Sequence, residues 1–309
     1  MTELDVEIAV LIPCRDEEST IASVVNGFQM ALPGSSVYVY DNASTDDTVS
    51  EALKAGAKLG SEPTPGKGRV VRRMFAEIEA DVYVMVDGDG TYDPVDAPLL
   101  VKELLDNSLD MVVGVREGIT RDAGRRGHAV GNKVFNRLYA ALFGAGYSDI
   151  LSGYRVFSRR MIKSFPSVST GFEIETEISV HASQLNLPVA ESTVSYGFRP
   201  EGSESKLHTF KDGFKLLRAM IALVKENRPF FMFGSLSFLS LIGAAGLVVP
   251  VAITYAQTGL VPRLPTAVLS AALGILGLLF LVSGLILDSI AKSRIEMKRI
   301  AYLQTSSFR

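Results

Sequence analysis

Over the first two thirds of the chain, short apolar runs alternate with stretches whose apolar residues recur three and four positions apart. Val6 to Pro13 is apolar except for Glu7 and predicts a strand. Glu18 to Leu32 has helical spacing, with Ser19 and Thr20 as candidate caps. Ser36 to Tyr40 predicts a second strand, and Asp46 to Lys58 a helix capped near Ser44 or Thr45. A third helix is expected from Gly66-Lys67-Gly68 to about Ala80. It leads into the run Val82-Tyr83-Val84-Met85-Val86, which stops abruptly at Asp87. A helix near Ala97 to Asn107 and a strand from Asp110 to Val115 continue the order. Strands that read as continuous hydrophobic runs, each followed by a helix, predict a doubly wound, mostly parallel sheet of the α/β class.

The pattern changes at Arg228-Pro229. Residues 229–262 carry no formal charge, and after the lone Arg263 residues 264–287 are again uncharged. Crossing hydrocarbon takes about 20 apolar residues, so two transmembrane helices are expected, near Phe230 to Tyr255 and Pro265 to Leu287. Gly243, Ala244, Ala245, Gly246, Gly274 and Gly277 would let them approach closely. Lys215, Arg218, Lys225 and Arg228 precede the first span and Lys292, Arg294, Lys298 and Arg299 follow the second, which predicts an integral membrane protein with both termini and the folded domain cytoplasmic. Residues 209–228 read as an amphipathic helix on the membrane surface, with Phe210, Phe214, Leu217, Met220, Ile221 and Val224 on one face. The expected organisation is a folded domain over 1–208, that juxtamembrane helix, a two-helix hairpin over 229–291 and a tail over 292–309.

Composition narrows the partners. The formal charge is -3 and no basic run dominates the soluble part, which argues against nucleic acid. Cys14 is the only cysteine, so no internal disulfide forms and a reducing compartment is expected. The acidic start, Met1-Thr2-Glu3-Leu4-Asp5, lacks the basic and apolar regions of a signal peptide.

The chemistry concentrates at strand ends. Asp87 and Asp89 lie one residue apart after the run 82–86, and two carboxylates this close call for a cation; hard oxygen ligands suit Mg2+ or Mn2+. Arg15, Asp16 and Glu17 follow the first strand, and Asp41 and Asn42 the second, so all should line one crevice outside the carboxyl ends of the strands. Such a crevice suits a nucleotide, whose base and ribose bond Asp and Asn and whose phosphates need a cation. Gly60 to Gly68 has the wrong spacing for a P-loop and no hydroxyl residue after Lys67, and no G-x-G-x-x-G follows the first strand. Asp87-Gly88-Asp89-Gly90-Thr91 also resembles the nucleophile motif of haloacid-dehalogenase-type phosphatases. Two strand-helix units precede it here, and no later G-D-x-x-x-D run completes that site.

Five motifs in register carry a family resemblance: Ile12-Pro13-Cys14-Arg15-Asp16-Glu17-Glu18, the run Tyr40 to Thr48, Asp87-Gly88-Asp89, the run Asp149 to Arg155, and the run Arg199 to Leu207. In this order they resemble family 2 glycosyltransferases, and more narrowly the dolichyl- and polyprenyl-phosphate sugar synthases. The resemblance implies a GT-A fold and an inverting transfer of sugar from a UDP- or GDP-linked nucleotide sugar to a polyprenyl phosphate in the bilayer. Other lipid acceptors remain open, and a homo-oligomer is compatible with it. By resemblance, Pro13, Arg15, Glu17, Asp41 and Asn42 would border the nucleoside, Asp87 the ribose or metal, and Asp89 would be the firmest metal ligand. Lys67 would meet base or phosphate, or simply be solvated. Arg199 and Lys206 would close over the diphosphate. Arg116, Arg126 and Arg155 would hold the acceptor phosphate, with Arg121, Arg125 and Arg126 alternatively touching lipid head groups. Asp149 would serve as base or positioning carboxylate. Glu173, Glu175 and Glu177 alternate and read as a solvated face, one of them a candidate to orient the sugar. A processive polysaccharide synthase would carry a Q-x-x-R-W helix, and the chain contains no tryptophan.

Overall fold

The computed structural model describes residues 6–117, 146–166, 174–197, 224–225 and 228–307. The chain divides into two compact units, Met1–Phe214 with Lys298–Arg309, and Lys215–Met297.

The first unit is built on one sheet. In chain order its elements are β1 (Ile8–Cys14), α1 (Ile21–Ala31), β2 (Ser36–Asp41), α2 (Thr48–Lys54), β3 (Lys58–Ser61), α3 (Lys67–Glu77), β4 (Val82–Met85), α4 (Ala97–Asp106), β5 (Met111–Glu117), β6 (Arg155–Ser158), α5 (Arg159–Ser164), α6 (Ile174–Leu185) and β7 (Val189–Ser195). The seven strands lie in the order β3-β2-β1-β4-β6-β5-β7. All neighbours pair in parallel except β6, which runs antiparallel to both β4 and β5. Helices cover both faces of β1 and β4, so Val10, Leu11, Ile12 and Val82 to Met85 are all buried. α1 buries Ile21, Val24, Val25 and Phe28, one helical face against the sheet.

The chain leaves β1 toward β2 on one side and later returns to pair β4 on the other. That reversal opens a crevice at the carboxyl ends of the two strands, where Arg15 to Glu17 and Asp87 to Asp89 follow. The helix predicted over Asp46 to Lys58 ends at Lys54, and Lys58, its expected last residue, instead opens the edge strand β3. The predicted caps also act elsewhere. Thr20 makes no cap bond and donates instead to the Gly88 carbonyl at 2.7 Å. Asp47, rather than Ser44 or Thr45, is the residue before α2.

In the second unit two helices, Pro229–Thr258 and Leu264–Gln304, are long and apolar enough to cross a membrane. The first ends on Gly259 in the left-handed conformation (φ 68°). They pack through mostly small residues seven apart, Ser237, Ala244 and the larger Val251 on one and Ser270, Gly277 and Gly284 on the other. Ser270 Oγ donates to the Ala244 carbonyl at 2.9 Å, a bond that needs the backbones close. Of the glycines expected at this contact, Gly277 lies against Leu241 and Ser237, whereas Gly246 and Gly274 face open space. The second helix continues past Leu287 as a polar helix whose end, from Lys298, belongs to the first unit. The juxtamembrane helix expected over 209–228 lies almost wholly outside the described residues.

Candidate active site

The wall of the crevice after β1 and β2 is a clasp between two loops. Asp16 N–H donates to Ser44 Oγ (2.9 Å), and Thr45 N–H donates back to Asp16 Oδ1 (2.7 Å). Glu17 N–H donates to Thr48 Oγ1 at 2.8 Å, and Asp47 N–H to Glu18 Oε2 at 3.0 Å. Asp16 pays for this with φ 50°, a left-handed backbone that Asp tolerates better than most residues. Pro13 is buried beneath the clasp, and Arg15 lies at the surface with its guanidinium 3.5 Å from Asp16. The Asp41 carboxylate accepts the Ser44 N–H.

Asn42, expected on base or ribose, is a brace. Its amide donates to the carbonyls of Glu62 (3.0 Å) and Thr64 (2.8 Å), and its oxygen accepts the Gly66 N–H (2.7 Å). The loop so fixed delivers Lys67 into the site. There Lys67 Nζ stands 2.5 Å from Asp87 Oδ1 and 2.5 Å from Glu175 Oε1. Burial alone would lower this ammonium's pKa, but the two carboxylates outweigh it and hold the group charged, well above the ordinary lysine value.

The Asp87-Gly88-Asp89 turn is anchored from three sides. Thr20 holds the Gly88 carbonyl, Asp89 Oδ1 accepts both the N–H (3.1 Å) and the hydroxyl (2.6 Å) of Thr91, and Gly153 lies so close to Asp87 that any side chain there would collide with the carboxylate. Both aspartates supply hard oxygen donors. Among the described residues no three His, Cys, Asp or Glu side chains converge on a cation, so one bound here would complete its shell with phosphate and water, a donor set that fits Mg2+ or Mn2+.

Linked to this turn through Gly153 is a second constellation. Arg116, at the end of β5, donates Nε to Asp149 Oδ2 (2.6 Å) and Nη2 to Asp149 Oδ1 (2.7 Å), a bidentate pair, and its guanidinium lies 5.4 Å from the centre of the Tyr196 ring. Burial would lower the guanidinium's pKa, but the Asp149 hydrogen bonds outweigh it and the group sits above its ordinary value. Tyr92 joins the two halves. Its hydroxyl lies 3.3 Å from Ser152 Oγ and accepts the Gly153 N–H at 3.0 Å, while its ring packs on Tyr154 and Tyr196. Burial pushes the Tyr92 hydroxyl's pKa up, so it stays protonated.

Arg155 corrects an expectation. Rather than facing an acceptor phosphate, it is fully buried and donates to the carbonyls of Ser152 (2.9 Å) and Ile150 (2.5 Å) and to Ser179 Oγ (2.9 Å). An arginine spent in this way shapes the loop 149–155 and offers nothing to a ligand. Glu175 is likewise buried against Lys67 and not on a solvated face. Tyr92 escaped the sequence reading, and Thr20 and Glu175 were read in other roles, because what they do depends on partners 60 or 61, 68, and more than 100 positions away. Arg126, Arg199 and Lys206 lie outside the described residues, as do Arg121, Arg125 and Glu173.

A mostly parallel sheet with an acidic turn at its central switch point is the architecture of GT-A glycosyltransferases. Glucosyl-3-phosphoglycerate synthase from Mycobacterium tuberculosis, solved with Mn2+, uridine diphosphate and phosphoglyceric acid, shares it: the TM-score is 0.58 and the identity 23% over 71% of this chain and 78% of that one. The model of glycosyl transferase family 2 matches residues 9–165, and the chain belongs to that family. Glycosyltransferase AglJ of Haloferax volcanii is 34% identical over 300 residues, spanning 96% of this chain and 98% of the relative. A dolichyl-phosphate hexose transferase of the same organism is 26% identical over 72% of this chain and 96% of its own length.

Proposed function

We propose that this glycosyltransferase moves a sugar from a UDP- or GDP-linked donor to a polyprenyl phosphate, with inversion at the anomeric carbon, at the cytoplasmic face of a membrane. The observation that carries the reading is the linkage of the Asp87/Asp89 turn to the Arg116–Asp149 pair through Gly153, Tyr92 and Tyr196, in a chain that also bears two membrane-length apolar helices. The name of the dolichyl-phosphate hexose transferase relative supports the acceptor class.

A phosphate monoester is already anionic at neutral pH, so its attack needs no strong general base. What it needs is placement and charge. Arg116 keeps a guanidinium edge beyond the two donors engaged by Asp149 and is the described cation on that side suited to an incoming phosphate. Asp149 then acts by holding Arg116, not by taking a proton. On the other side, Lys67 presents a charge held in place by two carboxylates. A divalent ion held by Asp87 and Asp89 would supply Lewis-acid stabilisation of the departing nucleoside diphosphate. Arg126, Arg199 and Lys206 remain proposed contacts of acceptor and diphosphate on the strength of the family resemblance.

Membranes containing the protein, incubated with labelled UDP- and GDP-sugars and undecaprenyl or dolichyl phosphate, will yield organic-extractable label from one donor. Asp89→Asn will lower that transfer by about 100-fold or more, as expected when leaving-group charge loses its counterpart. Label that appears only in free sugar, or extractable product undiminished in Asp89→Asn, overturns the reading.

A further inference from the structure

Lys67 reaches two carboxylates at equal distance, but the two are not equivalent. The side chain of Asp87 is 30% exposed and that of Glu175 only 5%. A half-exposed carboxylate can exchange an ammonium for water or another cation, whereas a buried one stripped of its partner is left charged where little solvates it. The backbone around Glu175 is pinned as well. Its carbonyl accepts Ser179 Oγ at 3.0 Å, and that hydroxyl accepts buried Arg155 Nη1 at 2.9 Å. Glu175 is thus a fixed partner and Asp87 an exchangeable one.

We propose that Glu175 is the anchor of Lys67 and a positioning residue for the donor site. When a divalent cation and a nucleoside diphosphate enter, Asp87 leaves Lys67 for the cation, and Glu175 retains the ammonium beside the incoming anion. This rests on the reading that the crevice takes a nucleotide sugar. Without the charge on Glu175, Lys67 has one carboxylate left. The ammonium then settles on Asp87 and competes there with any cation.

The test is Mn2+ binding to the purified full chain in detergent, followed by electron paramagnetic resonance with and without UDP or GDP, beside KM and kcat for the donor. Glu175→Gln keeps the shape and removes the charge. It will weaken Mn2+ binding by about 10- to 100-fold, the usual effect of losing a group that orients a metal ligand, and will raise donor KM more than it lowers kcat. Glu175→Asp will recover part of the loss. The double variant K67M/E175Q buries no lone charge and has no ammonium to compete, so it will bind Mn2+ more tightly than Glu175→Gln alone. Unchanged Mn2+ binding in Glu175→Gln, or a double variant as weak as that single one, overturns the proposal. Metal binding is read without sugar transfer. A chain that shows these Mn2+ effects but moves no sugar to lipid therefore overturns the functional reading and leaves this one standing.

Discussion

Asp149 and Arg116 share two hydrogen bonds, and that geometry underlies the positioning role proposed for the carboxylate. An oxygen pair committed to a guanidinium is a poor proton acceptor and a good positioner. Asp149→Asn will therefore raise the KM for the proposed lipid phosphate acceptor by about tenfold, the scale of one lost charge-assisted hydrogen bond. The acid limb of the pH–rate profile will keep its position; its disappearance would mark Asp149 as a base. At this scale the sequence was most readable where chemistry is local. Asp87 and Asp89 stand out because an apolar run ends on them, whereas Asp149 was reached through the family resemblance. Arg155 misled, because nothing in Gly153-Tyr154-Arg155 tells a surface guanidinium from one whose partners, Ile150, Ser152 and Ser179, enclose it.

Among the elements, α1 is fastened to the acidic turn by one hydroxyl. Thr20→Val removes the bond to the Gly88 carbonyl while keeping the side chain's shape, so it leaves a buried acceptor unmet. It will lower stability by about 1–3 kcal/mol in urea unfolding, with donor affinity falling in parallel. Helix α6 carries a second dependence, on pH. His181 is buried with Nε2 3.0 Å from Ser164 Oγ, and burial, aided by the charge of Lys298, pushes its pKa down to about 3. The unfolded chain takes up this proton near pH 6.5 and the folded one refuses it. Stability from this group is therefore complete above about pH 6.5 and drains away as pH falls toward 3, by at most about 1.4 kcal/mol per pH unit. Unfolding followed by tyrosine fluorescence at pH 7 and pH 5.5 will show the loss, and His181→Gln will flatten it. The strands with continuous apolar runs were legible in the sequence; β3 was not. Lys58-Leu59-Gly60-Ser61 is a mostly exposed edge strand that bonds a neighbour on one side only, so it carries no burial pattern to read.

At the scale of the molecule, two uncharged stretches were sufficient to predict the hairpin, since hydrocarbon imposes length and apolarity directly. The reach of the second helix was not predicted. Its polar continuation ends at Gln304, where Tyr302 donates its hydroxyl to Asp110 at 2.8 Å and Arg160 lies over the Tyr302 ring, contacts no local pattern announces. The proposed orientation rests on Arg228 before the hairpin and Lys292, Arg294, Lys298 and Arg299 after it, against Arg263 alone between the helices. Arg263→Cys will react with a membrane-impermeant maleimide added to intact cells. Buried Cys14 gives little background, and labelling only after lysis would reverse the orientation.

The three side-chain hydrogen bonds of Asn42 bear on how the protein ages. Slow deamidation in storage would replace a nitrogen with an oxygen opposite the carbonyls of Glu62 and Thr64, turning two attractions into repulsions by a change of one mass unit. The loop that carries Lys67 would come loose while the sheet beneath it stayed intact. Old preparations would then look native by circular dichroism and yet have lost the grip on a nucleotide proposed for this crevice.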